Sequence, residues 1–289
     1  MNTKRTSRAL SLGVLSLLML ATSCSGYKAG FTFEGESNGI TYRYEVLVSQ
    51  TNYVRVFPVT GAAMVEGNVA IPATVEYEDT KFIVTQIGHG AFRNYINITS
   101  ITMPPSISTI EDSAFKNCTA LTTINTPQPL SVIGAYAFEN CSRLQAFDFD
   151  ASISTLGTGC FKGCSSLREA SFPSSFSAVP DQAFCGCSSL SAIHLPQTVM
   201  NIGHDAFRGC ANADQLTFGS SVQTIGQRAF ADCSNIQSIT ISTPTPPACY
   251  PTTFDGIPSS IPVTVPMPHV ADYQNATGWN HLTNFIGTY

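Results

Sequence analysis

The nonapeptide IEDSAFKNC, Ile110 to Cys118, is written again as IGAYAFENC from Ile133, LGTGCFKGC from Leu156, VPDQAFCGC from Val179, IGHDAFRGC from Ile202 and IGQRAFADC from Ile225. IGHGAFRNY, from Ile87, precedes them, and all seven starts are 23 residues apart without an insertion. A fixed short period constrains the fold more than any local propensity, because a unit this small cannot bury its own apolar face and must stack on its neighbours. Each unit carries a phenylalanine at its sixth place: Phe92, Phe115, Phe138, Phe161, Phe184, Phe207 and Phe230. Rings that return at one place in each coil stack inside the tube, and each contributes on the order of 1.5–3 kcal/mol by burial.

The second half of each unit reads L-x-x-I-x-L-P, as in Leu190-Ser-Ala-Ile193-His-Leu195-Pro196. Alternation with period two predicts a short strand with one face inward, which the proline ends. An extended segment such as Ser131-Val132-Ile133 then leads to Gly134, and the A-F-x-x-C spacing predicts a single helical turn. One coil closes in 23 residues, and coils stack at a strand spacing of about 4.8 Å.

L-x-x-I-x-L-P joined to I-G-x-x-A-F-x-x-C resembles the BspA-like leucine-rich repeat family, surface proteins of Bacteroides-type bacteria, over Ile87 to Ile241. The resemblance implies a leucine-rich repeat solenoid, mainly β with short helical turns, and adhesion to extracellular-matrix proteins or other protein partners. Seven repeats are expected over residues 87–247. Residues 24–86 are expected to form a short tether and a β-rich N-terminal cap, with strands in TYRYEVLV (Thr41 to Val48) and YVRVF (Tyr53 to Phe57) and a hairpin across Glu78-Asp79. Residues 248–289 read as a degenerate repeat with a displaced Phe254 and a C-terminal cap: a short helix after Pro268, and Trp279 packed on the last coil. No linker divides residues 24–289, which are expected to be one domain.

Residues 1–23 have the form of an export signal. Lys4, Arg5 and Arg8 precede the apolar stretch Ala9 to Leu20, and ATSC follows at Ala21 to Cys24. Small residues before a cysteine resemble the lipobox of bacterial lipoproteins, although Ala21 stands where that pattern prefers leucine. The resemblance implies that Cys24 becomes the acylated first residue of a lipid-anchored cell-envelope protein, in the outer membrane and held to it through the anchor alone. No acidic run follows Cys24, so a periplasmic orientation stays open beside a surface one. Loss of residues 1–23 removes three cations and no acid, leaving 11 Lys and Arg against 19 Asp and Glu, a charge of −8 that argues against nucleic-acid partners.

Six cysteines, Cys118, Cys141, Cys164, Cys187, Cys210 and Cys233, share one repeat place. Stacked coils bring their α-carbons within disulfide range, but parallel Cα–Cβ bonds disfavour the dihedral of a bridge. They are expected to be buried thiols acting as weak donors to neighbouring carbonyls, with Cys160 and Cys185 the exceptions to watch. No cysteine or histidine spacing fits a zinc site, and His89 and His204, which share a place, lie five coils apart. Without a hydrolase, metalloprotease or phosphate-loop motif, the chain reads as non-enzymatic and free of cofactors.

The outward strand positions are the remaining candidate for function. Asn125, Asp148, Ser171, His194 and Thr217 share one place and are expected to form a row, with Glu169 beside it. This polar strip is an extended binding face of the kind that solenoids present, or a merely solvated one. Two other readings stand beside adhesion: a glycan-binding module serving polysaccharide uptake, disfavoured by the lack of aromatic platforms on the strip, and a purely structural envelope component.

Overall fold

The structure, a computed structural model, describes residues 27–49, 51–149, 152–170 and 172–288. The chain begins with an antiparallel hairpin of β1 (Thr32–Ser37) and β2 (Ile40–Val46), followed by β3 (Tyr53–Pro58), β4 (Gly67–Ala70), β5 (Thr74–Tyr77) and β6 (Thr80–Ile87). Glu78 and Asp79 both take left-handed backbone angles in the tight turn between β5 and β6, as a two-residue hairpin requires. β3 and β6 pair in parallel, and with that pairing the meander becomes a solenoid.

The coils then add β7 (Ile98–Thr102), β8 (Thr109–Ile110), β9 (Thr123–Ile124), β10 (Val132–Ile133), β11 (Thr155–Leu156) and β12 (Ala178–Val179). β13 (Ile193–His194), β14 (Asn201–Ile202), β15 (Gln215–Phe218), β16 (Thr224–Ile225) and β17 (Ser238–Ile241) complete them, and the cap supplies β18 (Pro262–Pro266), α1 (Val270–Asn275) and β19 (Asn284–Thr288). Pairs such as Ile133 with Leu156 and Ile202 with Ile225 are 23 residues apart, so the sequence period is the sheet register. Each coil offers two extended segments, and the solenoid carries two rows of parallel strands.

The predicted helical turn is not a helix. The fourth and eighth places of every repeat have left-handed backbone angles, as at Ser113 (φ 58°) and Asn117 (φ 62°). The segment is a ribbon of overlapping turns in which alternate amides bond within the coil and across to the next one. The Phe115 amide, for example, donates to the Ala137 carbonyl at 2.7 Å, while the Cys118 amide donates back to the Phe115 carbonyl at 3.1 Å. A helix would turn all these donors inward along its own axis and leave the coils unpaired. Stacking therefore selects the turns.

The phenylalanine ladder runs unbroken through the core. From Phe92 to Phe254 successive rings are 5.2–5.8 Å apart and within 10° of parallel, and every one is fully buried. Trp279 closes the stack 4.8 Å from Phe254, its indole N–H donating to the Pro247 carbonyl at 3.0 Å.

Both strand rows, by contrast, are interrupted in the middle of the molecule. One row divides into a sheet ending at β11 and another, β12-β14-β16; the other divides into β4-β7-β9 and β13-β15-β17-β18-β19. In the first row the Gly134, Gly157, Gly203 and Gly226 amides each donate to the preceding coil at 2.8 Å. Pro180 holds the equivalent place between β11 and β12 and has no hydrogen to give. In the second row Phe147 and Ala170 replace the usual branched aliphatic residue. The Phe147 ring wedges between Phe138 and Phe161 at 5.4 and 4.9 Å, and Phe149 and Phe172 pack on later rungs of the ladder. These bulky edges displace the strands, leaving bonds such as Arg168 amide to Gln145 carbonyl to tie the coils there.

Candidate binding face and buried ladders

The outward row is real on the C-terminal side of the interruption. His194 stands opposite Thr217, Thr217 opposite Thr240 and Thr240 opposite Thr264, all on paired parallel strands. The His194 Nδ1 and Thr217 Oγ1 atoms lie 3.2 Å apart, so the two side chains are set by each other as well as by their strands. His194, Asp148 and Glu169 are exposed, and Thr217 is half-buried. Ser171 lies outside the described residues, as does Cys24.

Asn125 belongs to the same row but its side chain is already engaged. Its Oδ1 accepts the Met103 amide at 2.5 Å and its Nδ2 donates to the Met103 carbonyl at 2.9 Å. The amide thus extends the β7–β9 pairing by one step, where the backbone has begun to diverge. The strip accordingly differs along its length. Its N-terminal part stitches coils together, whereas Asp148, Glu169, His194 and the threonines beyond project free of the backbone.

The six aligned cysteines are free thiols, fully buried. Each donates to the carbonyl of the phenylalanine one coil earlier: Cys118 to Phe92 at 3.0 Å, Cys141 to Phe115 and Cys164 to Phe138 at 3.1 Å, Cys187 to Phe161 and Cys233 to Phe207 at 3.2 Å, Cys210 to Phe184 at 3.4 Å. Burial pushes the Cys118 thiol up to about 12 and those of Cys141, Cys164, Cys187 and Cys210 up as well. A neutral thiol in an apolar tube is inert, so this ladder is architecture. Cys160 is buried like the six; Cys185 is half-buried, flanked by Lys162, Arg208 and Arg228.

The turn side carries order of its own. Asn117 Nδ2 donates to Asn94 Oδ1 at 2.8 Å and Asn140 Nδ2 to Asn117 Oδ1 at 2.9 Å, a ladder at the left-handed eighth place. It stops at Gly163, where a side chain would meet the Asn140 amide oxygen. Farther on, Asp205 pairs with Arg228 at 3.1 Å, and Arg208 with Asp232 at 3.1 Å. Each of these bonds joins residues about one coil apart, so the order lies between coils and not between neighbours in the sequence. Among the described residues no group of three or more His, Cys, Asp or Glu is placed to hold a metal ion, and no helix is long and apolar enough to cross a membrane.

About nine stacked coils with parallel strands, an aliphatic strand signature and a buried phenylalanine spine define a leucine-rich repeat solenoid. The family of BspA type leucine rich repeat regions matches residues 85–184 and 160–246 in six copies, more than half of the chain, and the protein belongs to that family. Among solved structures, a leucine-rich repeat protein from Bacteroides ovatus aligns with 22% identity and a TM-score of 0.56, over 89% of this chain and 77% of that one. The pneumococcal vaccine antigen PcpA aligns with 17% identity and a TM-score of 0.51, over 91% of this chain and all of its own. At such identities the likeness is one of fold. No curated protein matches the chain.

Proposed function

We propose that the protein is a non-enzymatic bacterial cell-envelope lipoprotein, anchored through Cys24 to the outer membrane, that binds a protein partner of matrix type through its outward strand strip. The observation that carries this reading is the row from His194 through Thr217 and Thr240 to Thr264. Four polar side chains stand at one strand position on a hydrogen-bonded backbone, so little ordering entropy is lost when a partner covers them. Asp148 and Glu169 extend the face across the interrupted coils with negative charge. The row holds no Phe, Tyr or Trp, which favours a polar protein surface over a stacked sugar. Membership of a family with surface representatives supports the address.

The test pairs a panel of immobilised matrix proteins with a glycan array. Binding to a protein, lost in a variant carrying Asp148→Arg, Glu169→Arg and His194→Arg that keeps the parent circular dichroism spectrum, is the expected result. Equal binding by that folded variant would remove the strip from consideration, and glycan binding alone would replace the proposal by the carbohydrate reading.

A further inference from the structure

We infer that the strand-end edge of the N-terminal cap, with Val48, Tyr53 and Ile83 at its centre, rests on the lipid surface to which the chain is anchored. The inference builds on the proposed acylation of Cys24. Only Ser25 and Gly26 separate that residue from Tyr27, where the described structure starts. Three peptide steps span at most about 11 Å when fully extended. Tyr27 is not a free tail: its ring packs on Phe82 at 5.2 Å and Phe31 at 4.9 Å, and its hydroxyl donates to Glu78 at 3.2 Å. An acyl group in the bilayer therefore holds this edge of the fold against the headgroups.

What the edge presents there suits a lipid interface. β1, β2 and β3 end together here, with the Gly30 amide bonded to the Val46 carbonyl and the Leu47 amide to the Tyr53 carbonyl, and Tyr53 stands opposite Ile83 inside β6, which runs on to its hairpin with β5. The Ala29 amide donates to Ser49 at 3.1 Å, fixing the first described residues beside the loop that carries Val48. Val54 and Val84 turn inward and are fully buried, so their neighbours Tyr53 and Ile83 turn outward together. Val48 is 58% exposed, Tyr53 49% and Ile83 37% among the described residues. A tyrosine beside two branched aliphatic residues, with Lys81 two residues before Ile83 on the same exposed strand face, is chemistry for the boundary between headgroups and acyl chains. The acids of the adjoining hairpin, Glu76, Glu78 and Asp79, keep the contact shallow and favour a zwitterionic surface over an anionic one. Such a patch is too small to bind a membrane alone, and multiple weak attachments are what make anchoring stable.

The chain's single tryptophan, Trp279, is buried at the opposite cap and provides an internal baseline. Acylated full-length protein is purified from membranes, its N-terminus is established by mass spectrometry, and it is reconstituted in phosphatidylcholine vesicles with and without brominated acyl chains. Tyr53→Trp and, as a second reporter, Ile83→Trp should lose their added emission in the brominated vesicles. Trp279 in the parent should not, nor should Met64→Trp, placed on an exposed residue beyond the far end of β3. If the acylated Tyr53→Trp and Ile83→Trp variants keep their added emission, or if Met64→Trp is quenched as strongly as they are, the lipid contact is overturned while the anchor stays intact. An unacylated N-terminus defeats the anchor itself and the proximity it enforces.

Discussion

The Cys164 thiol donates across one coil to the Phe138 carbonyl at 3.1 Å, an oxygen that also accepts the Cys141 amide at 3.1 Å. The cysteine and phenylalanine ladders are thus one structure, each thiol satisfying the second lone pair of a buried carbonyl. Alkylation of the native protein is expected to spare all six aligned cysteines and to label them once the chain unfolds without reductant. Disulfide-linked peptides among the six would contradict the ladder.

The same burial sets an alkaline limit. Folded thiols whose pKa is raised stay protonated where the unfolded chain has lost the proton, above the ordinary thiol value of about 8.5. Their contribution is complete below that value and is lost as pH rises, through about 12 for Cys118. In this window each such thiol lowers stability by about 1.4 kcal/mol per pH unit. Tyr42, raised to about 12 by burial, acts with the same sign. Urea midpoints should be level from pH 6 to 8 and fall steeply by pH 10, less steeply in Cys118→Ala. A flat profile would show that the thiols are hydrated.

Phe161 has ring neighbours on four sides: Phe138 and Phe184 in the ladder, Phe147 and Phe149 from the displaced strands. Phe161→Ala should cost about 3–5 kcal/mol, since so many fixed rings cannot collapse into the cavity. Phe92, stacked on Phe115 and edge-on to Tyr95 near the cap, should cost less. Denaturant titration of both variants gives the comparison, and a loss under about 1 kcal/mol at Phe161 is incompatible with its packing.

Arg55 joins the N-terminal cap to the first coils, reaching Glu45 at 2.7 Å and Glu111 at 2.8 Å, while Glu111 also accepts the His89 amide at 2.8 Å. Arg55→Met removes the charge-assisted bonds and leaves two partly buried carboxylates facing each other. The expected loss is about 1–3 kcal/mol, with hydrogen exchange accelerating in β1 to β3 before the repeats. Uniform acceleration along the chain would mean that the cap is not separately hinged on this contact.

The ladder of phenylalanines was legible because a side chain at one place in every 23 residues has one way to pack, and the caps because strand alternation and a buried tryptophan are local signals. The turn geometry was not. Ser113, Tyr136, Gln182 and Arg228 occupy left-handed places without any preference for them, and A-F-x-x-C has the spacing of a helix face. Bonding between coils overrides both. The interruptions were equally hidden: Pro180 acts on a carbonyl one coil back, and Phe147 acts by wedging between Phe138 of its own coil and Phe161 of the next.

Asn125 and His194 occupy the same repeat place, and the structure separates what they do. Asn125 spends both ends of its amide on the Met103 backbone, whereas His194 is exposed and, among the described residues, its side chain bonds to the neighbouring Thr217 side chain alone. Asn125→Ala leaves a peptide donor and acceptor with no partner at a point where strand pairing ends, and should cost about 1–3 kcal/mol. His194→Ala should stay within about 0.5 kcal/mol, because no buried group depends on it. Partner binding is expected to show the reverse order: weakened by His194→Ala and little changed by Asn125→Ala at temperatures where both are folded. Measuring stability by denaturant and binding by surface immobilisation on the same two variants gives four numbers. If His194→Ala is the more destabilising of the two, or Asn125→Ala alone abolishes binding, the division of the strip into a stitched part and a presented part is wrong.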